Sequence, residues 1–360
     1  MNICCTKKLQ DELSIKASAP EAIDPFFSWH TNFLRINRKK AVVLVNDASR
    51  YNIILYGLKA KDFGRLAELI PQAIRETLLS EGVNPEIIEA YLNAAGAVCF
   101  AKTNGAKLVA WLNKGCEAAE IFSNLYVGGV IVQTVASKKA NRYIFIDLTG
   151  NNPKHPHEVF YKLLGEQFEN PVIRCKAIKI KATLMMDNFS VWREVVVPLQ
   201  FTFSELHSVM QKLFSWGDYH MHDFVILNKD TPVATIVTEF DDFDDERDTP
   251  VVLEQATLGE YLPKYKRAVY QYDFGDSWEH LIEVQDILFD YDKYYAHCLA
   301  GEGDAPPEDV GGEGGYENFM EIMADPTHPE HAELKEWVSG QWWHQPFELE
   351  AVNRKLKYGF

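Results

Sequence analysis

YDFGDSWEH, residues 272–280, lies between two runs in which apolar and polar residues alternate, KRAVYQYDF (266–274) and SWEHLIEVQDIL (277–288). Alternation with a period of two is the mark of a half-buried strand. A Phe-Gly flanked by aspartates is turn chemistry, with Gly275 supplying a permissive backbone and Asp276 a side-chain cap. The stretch therefore predicts a β-hairpin. Its pattern puts Tyr270, Tyr272 and Phe274 on one face of the incoming strand, and Trp278, His280, Ile282 and Val284 on one face of the outgoing strand. Two readings stay open at this point. The aromatics and His280 fill a core, or Asp273, Asp276 and His280 border a site.

Working outward, a chain of 360 residues predicts two domains. A hydrophobic content of 47% and an aromatic content of 12% argue for folded cores rather than disorder. There is no run of apolar residues long enough for a membrane span, and the opening MNICCTKKLQ lacks the apolar segment of a signal peptide. The cysteines at 4, 5, 99, 116, 175 and 298 are scattered and form no CxxC, which points away from a disulfide framework or a zinc ribbon and toward a reducing cytoplasm. Charge is uneven. Residues 1–170 carry 20 Lys and Arg against 17 Asp and Glu (+3), and residues 171–360 carry 16 against 35 (−19), summing to −16. Nucleic-acid affinity rests on cationic contacts to phosphate, so the acidic half is a poor general DNA binder. The basic clusters NRKK (37–40) and SKKANR (137–142) read as solvated turns.

In the first half, AVVLV (41–45) and YNIILYGL (51–58) flank a turn and predict a hairpin. Helical spacing covers 61–82, where Pro71 either kinks the helix or starts a second one. Helices are also expected over 84–96, 106–122 and VFYKLLGEQF (159–168), with a strand at 97–103. The turn-rich TGNNPKHPHE (149–158) carries His155 and His157, read as solvated loop histidines. With the change in charge balance, these signals place a domain boundary near residue 170, giving domains 1–170 and 171–360. The second half opens with strands at 175–186 and 191–199, followed by a helix announced by the capping box Thr202/Glu205. A hairpin of 223–227 and 232–240, the acidic loop DDFDDERD (241–248) and a short helix near TLGEYL precede the KRAVYQYDF hairpin, which is expected to close the sheet. Helices around 316–325, 331–338 and 347–356 end the chain.

Two further stretches carry chemistry. WGDYHMHDF (216–224) places His220 and His222 two apart at the start of a strand, where both imidazoles point one way and can converge on an ion. With Asp276 and His280 they make a mixed N/O set suited to zinc, manganese or iron, and Asp273 or Glu308 would then be the general base for a bound water. The alternative is a set of caps and core histidines packed on Trp216. CLAGEGDAPPEDVGGEGGY (298–316) is irregular, glycine-rich and acidic, but lacks the spacing of a phosphate loop, a dinucleotide fingerprint or an EF-hand; it reads as an Ω-loop that covers a pocket or binds a cation. There is no nucleophile motif. Trp337, Trp342 and Trp343 read as core anchors.

Taken together and in order, VWREVVVP, FSELHSVMQKLFSWGDYHMHDF, YQYDFGDSWEHLIEV, C-x-x-GEG-x-x-PPEDVGGxxGY and the closing VNRKL make residues 172–357 resemble the plasmid pRiA4b ORF-3-like family. ICCTKKLQDEL and FFSWHTNFLRINRKKAVVLVND resemble a family of uncharacterised bacterial domains. The resemblance implies an α+β fold of two domains, each a mostly antiparallel sheet packed with helices. It retains the family's His220, His222, Asp273, Asp276, Trp278, His280, Glu308 and Asp309. Ala305 stands where members commonly have Cys, which removes a thiolate partner for Cys298, and Glu194 replaces a second Arg beside Trp192-Arg193. Trp192, Arg193, Trp278, Asp309 and Tyr316 are the candidate binding residues. Members carry mobile-element labels, yet the acidic half lacks the activated serine amid arginines that recombination needs. The leading expectation is a cytoplasmic binding or regulatory module with a protein rather than a nucleic-acid partner and no membrane. The alternative is a divalent-metal-dependent hydrolase or nuclease.

Overall fold

The computed structural model describes residues 1–360 except 144–153, 241–248, 342 and 359–360, so the acidic loop DDFDDERD and Trp342 lie outside the described residues. The chain divides into two compact units, Met1–Arg174 and Cys175–Phe360. Both are α+β, and no helix among the described residues is long and apolar enough to cross a membrane.

The first unit runs β1 (Asn2–Cys5), α1 (Lys7–Leu13), β2 (Ser28–Ile36), β3 (Lys39–Asn46), β4 (Asn52–Tyr56), α2 (Ala60–Phe63), α3 (Leu66–Ser80), α4 (Pro85–Ala95), β5 (Cys99–Lys102), α5 (Ala106–Ile121), α6 (Thr134–Tyr143) and α7 (Pro156–Gln167). Its sheet has the order β4-β3-β2-β1-β5. The antiparallel meander β2–β3–β4 contains the expected hairpin, and β1 is inserted parallel between β2 and β5. Pro71 lies inside α3, and the break expected there falls earlier, at Gly64-Arg65, where α2 ends. Val43, Val45, Ile54 and Tyr56 pack against Leu112 and Ala119 of α5 and Ala136 and Ala140 of α6.

SKKANR is not a solvated turn. It forms the middle of α6, with Ser137, Lys138 and Asn141 buried. The reason is the edge strand β4: Tyr56 N and Ile54 O bond to the backbone of Ile131 and Gln133, and the backbone groups left over need side-chain partners. Asn141 closes on Asn52, accepting from its N at 2.6 Å and donating to its O at 2.9 Å, and Ser137 Oγ accepts from Ile54 N at 3.0 Å. The next residue, Arg142, makes a bidentate pair with buried Glu81 at 2.6 and 3.0 Å. Burial alone would raise the Glu81 carboxyl, but the guanidinium outweighs it and holds the group down at about 2. His157 likewise departs from the solvated expectation. It is buried in the first turn of α7 against Asn141 O, and burial lowers it to about 4, while His155 caps that helix.

The second unit runs β6 (Cys175–Leu184), β7 (Val191–Pro198), α8 (Phe203–Phe214), β8 (His222–Asn228), β9 (Thr231–Val237), β10 (Val251–Leu253), α9 (Leu258–Tyr265), β11 (Lys266–Tyr272), β12 (Trp278–Tyr291), β13 (His297–Glu302), α10 (Gly312–Ala324), α11 (His331–Gly340) and α12 (Leu349–Tyr358). The sheet order is β10-β9-β8-β11-β12-β6-β7-β13, antiparallel except for β10 on β9. The YDFGDSWEH hairpin joins the central strands β11 and β12 instead of closing the sheet, and β13 takes the edge through pairing with β7. One sheet face carries Ile180, Ala182, Val195, Phe224, Tyr270, Tyr272, His280 and Ile282. The stripe Phe203, Leu206, Met210 and Leu213 of α8 belongs to the same core. The Thr202/Glu205 capping box starts α8: Glu205 N donates to Thr202 Oγ1 at 3.2 Å and Thr202 N to Glu205 Oε2 at 3.0 Å.

Candidate functional site

Antiparallel pairing of β8 with β11 sets His222 opposite Tyr272, so the chain approaching β8 runs beside the chain leaving β11, and Asp273 N donates to Met221 O at 3.0 Å. The turn after β11 is built by Asp273, not Asp276. Asp273 Oδ1 accepts from Gly275 N at 2.9 Å and Asp276 N at 3.3 Å, and the left-handed residues are Asp273 (φ 56°) and Ser277 (φ 56°) rather than Gly275. Phe274 is consequently carried out to solvent. Asp276 reaches the other way and accepts from Gly311 N at 3.0 Å, tying this turn to the PPED segment.

Glu308 of that segment is buried and spoken for. Tyr272 Oη donates to Oε1, Gly217 N donates to Oε2 at 2.8 Å, and Gln341 binds both its backbone N and O. Tyr272 Oη in turn accepts from Tyr219 N at 3.1 Å. Glu308 and Tyr272 thus pin three loops, 217–221, 273–277 and 305–312, to one another. A carboxylate whose two oxygens are so engaged holds loops in place.

Where the loops meet, His220 faces two aspartates. Its Nε2 lies 3.1 Å from Asp309 Oδ1 and 3.6 Å from Asp273 Oδ2, yet it is buried with no hydrogen-bond partner of good geometry. Asp309 is itself left-handed (φ 59°), a backbone cost of about 1–2 kcal/mol that turns its carboxylate toward the imidazole. One nitrogen and two carboxylate oxygens lie within 4.8 Å of one another, an arrangement and donor set that fit a divalent cation such as zinc, manganese or iron.

The other sequence-designated ligands lie elsewhere. His222 Nε2 pairs with Glu254 Oε2 at 3.1 Å, and its ring stacks on His207 with 3.5 Å between centroids and 4° between planes. His207 binds Tyr270 Oη at 2.8 Å and Asp218 Oδ1 at 2.7 Å, and burial lowers its basicity. The sequence held a signal for His207: it sits three residues before Met210 and seven before Phe214, on the buried stripe of α8. His280 is fully buried among Phe214, Trp216 and Tyr270, with centroids 4.5, 5.2 and 5.3 Å away, and burial drops it to about 3. Trp278 and Tyr316 are core residues. Arg193 is also buried, donating to Leu213 O, Trp192 O, Glu302 O and Gly303 O, with Phe347 3.9 Å from its guanidinium; burial lowers it to about 10. Trp192 lies on the surface, where its Nε1 donates to Glu302 Oε2 at 2.9 Å. The structure therefore brings together His220, Asp273 and Asp309, with Asp276 and Glu308 bracing them, and separates His222, His280, Trp192, Arg193 and Tyr316.

An eight-stranded sheet with this three-loop site defines the class to which the second unit belongs. The family model for the plasmid pRiA4b ORF-3-like protein matches residues 176–355, half of the chain, and the chain is a member of that family. A domain of unknown function, DUF6933, matches residues 2–159. The chain is 36% identical over 162 residues to the uncharacterized protein y4hQ of Sinorhizobium fredii, covering 44% of this chain and 79% of the relative. It is similar to the crystal structure of a protein of unknown function, MM3350, from Methanosarcina mazei Go1, at 32% identity over 49% of this chain and 96% of that one, with a TM-score of 0.42.

Proposed function

We propose that the protein is a binding module whose second domain holds a divalent cation between His220, Asp273 and Asp309 and engages a protein partner on the surface around it. The observation that carries this reading is His220 Nε2, buried, without a hydrogen bond and flanked by two carboxylates. A cation satisfies all three groups at once and locks the three loops, two of which present Tyr219, Met221 and Phe274. These side chains are 66%, 67% and 44% exposed. Hydrolysis is the less supported reading: of the two candidate bases, Glu308 has both oxygens engaged and Asp273 caps its own turn through Oδ1 and faces His220 with Oδ2, while His280 is sealed in the core. Six free cysteines support a cytoplasmic location.

Titration calorimetry of chelator-stripped protein with zinc and with manganese tests the reading. One equivalent should bind at the three-loop site of the wild type, and His220→Ala or Asp309→Asn should weaken that equivalent by at least about tenfold. Asp309 is exposed, so its variant spares the fold; heats unchanged by Asp309→Asn would defeat the proposal.

A further inference from the structure

The parallel insertion of β1 beside β2 makes Cys4 the register partner of His30, and Asp47 follows β3, whose Asn46 lies opposite Trp29. All three side chains are at least nine-tenths buried, and their ligand atoms lie within 4.8 Å of one another. We propose that Cys4, His30 and Asp47 form a zinc site in the first domain, separate from the cluster of the second. The set of one thiolate, one imidazole and one carboxylate is zinc-like, since sulfur favours a softer ion than magnesium or calcium.

The hydrogen bonds around His30 support this assignment. Nδ1 lies 2.7 Å from Asp47 Oδ1, and Nε2 lies 3.0 Å from Asn104 O and 3.2 Å from Asn104 N. Without metal, the tautomer with its proton on Nδ1 donates to Asp47 and accepts at Nε2 from Asn104 N. With metal on Nδ1, the proton moves to Nε2 and is donated to Asn104 O, the bond that commonly orients a zinc-bound histidine. Asn104 thus accommodates both tautomers without moving. The Nδ1–Oδ1 separation opens by about half an ångström when the metal replaces the shared proton, given zinc–ligand bonds near 2.0–2.3 Å. Among the described residues the Cys4 thiol has no hydrogen-bond partner. Burial first, and then the charge of Asp47, pushes its thiol up to about 12, a penalty that a bound dication reverses. One proton leaves on binding, from the Cys4 thiol, as its sulfur–hydrogen bond gives way to a sulfur–zinc bond. The same arrangement does not make Cys4 a nucleophile, because both nitrogens of His30 are engaged elsewhere.

Cobalt(II) in place of zinc reads out the thiolate directly. Full-length chain, stripped with chelator and loaded with cobalt, should show a sulfur-to-cobalt charge-transfer band that zinc abolishes. His220→Ala should leave that band intact, because the second-domain cluster contains no sulfur; failure of either site is therefore seen separately. Cys4→Ser should remove the band and Cys5→Ser should keep it. Should Cys4→Ser fail to fold, Asp47→Asn, which keeps the size of the side chain, should weaken zinc by at least about tenfold, the loss seen when even a ligand's hydrogen-bond partner is removed. A folded, cobalt-loaded wild type without the band overturns the proposal, as does a band that survives Cys4→Ser or an Asp47→Asn variant with undiminished zinc affinity.

Discussion

His280 sits in a box of aromatic rings where a positive charge has no counterion, so it stays neutral in the folded chain down to about pH 3. The unfolded chain takes up that proton below the ordinary histidine value of about 6.5. Its folded value is depressed, so its contribution to stability is complete above about pH 6.5 and is lost as the pH falls from there toward 3. One proton corresponds to about 1.4 kcal/mol per pH unit, or roughly 2 kcal/mol between pH 6.5 and 5. His280→Phe, whose ring suits the same box, should remove about one proton from the uptake on unfolding, measured by urea denaturation between pH 7 and 5. His207, also lowered by burial, leaves a residual slope; a slope equal to that of the wild type would mean that His280 is protonated in the fold. Alternation put His280 on a strand face with Trp278 and Ile282 but left it open between a core residue and a metal ligand, and its packing against Phe214, Trp216 and Tyr270 makes it core. Asp273 and Asp276 were harder to tell apart: both flank the turn, and only the backbone decides which one caps it.

Strand β4 ends the first sheet, and an edge strand exposes backbone groups that must be paired or wetted. Helix α6 covers this edge with side chains, Asn141 serving Asn52 through both its amide atoms. Asn141→Ala leaves a buried N–H and a buried C=O of Asn52 without partners, at about 1–3 kcal/mol each. We expect Asn141→Ala to cost about 3 kcal/mol in urea unfolding, and Lys139→Ala, on the exposed face of the same helix, to cost less than about 0.5 kcal/mol. Equal effects would show that the edge does not depend on the Asn141 hydrogen bonds. This helix was illegible in SKKANR because most of its buried residues there are polar: periodicity finds apolar stripes, and beside Ala140 it is Ser137, Lys138 and Asn141 that are buried, for hydrogen bonding and charge. Strand β1 escaped for a related reason, since four residues, NICC, give too short a pattern. With it went Cys4 beside His30, a neighbourhood made by a parallel insertion that no local spacing encodes. The hairpins and the Thr202 cap were legible because each is decided within a few residues. The His220–Asp273–Asp309 cluster was legible in part: its members stood out, but loop backbone chose Asp309 over His222 and His280.

Charge distinguishes the two halves of the molecule more sharply than architecture does. Residues 171–360 carry a net −19 and residues 1–170 a net +3, from the counts 16 against 35 and 20 against 17. Like charges on one compact body repel, and that repulsion opposes folding until salt screens it. Raising monovalent salt from about 0.01 M to about 1 M shortens the screening length from ~30 Å to ~3 Å, less than the spacing of most surface carboxylates. In thermal unfolding with chelator present, the transition of the second unit should therefore rise by about 3–6 °C, equivalent to 1–2 kcal/mol for a unit of this size. That of the first unit should move by less than about 1 °C. The two transitions are assigned by substitution, since His280→Phe perturbs only the second and Asn141→Ala only the first. A rise of both together would make the chain one cooperative body, whereas a second-unit transition indifferent to salt would mean that its carboxylates are already neutralised in place. With manganese or zinc instead of monovalent salt, a rise that Asp309→Asn abolishes separates ion binding at the three-loop site from general screening, because only the former depends on one carboxylate among so many.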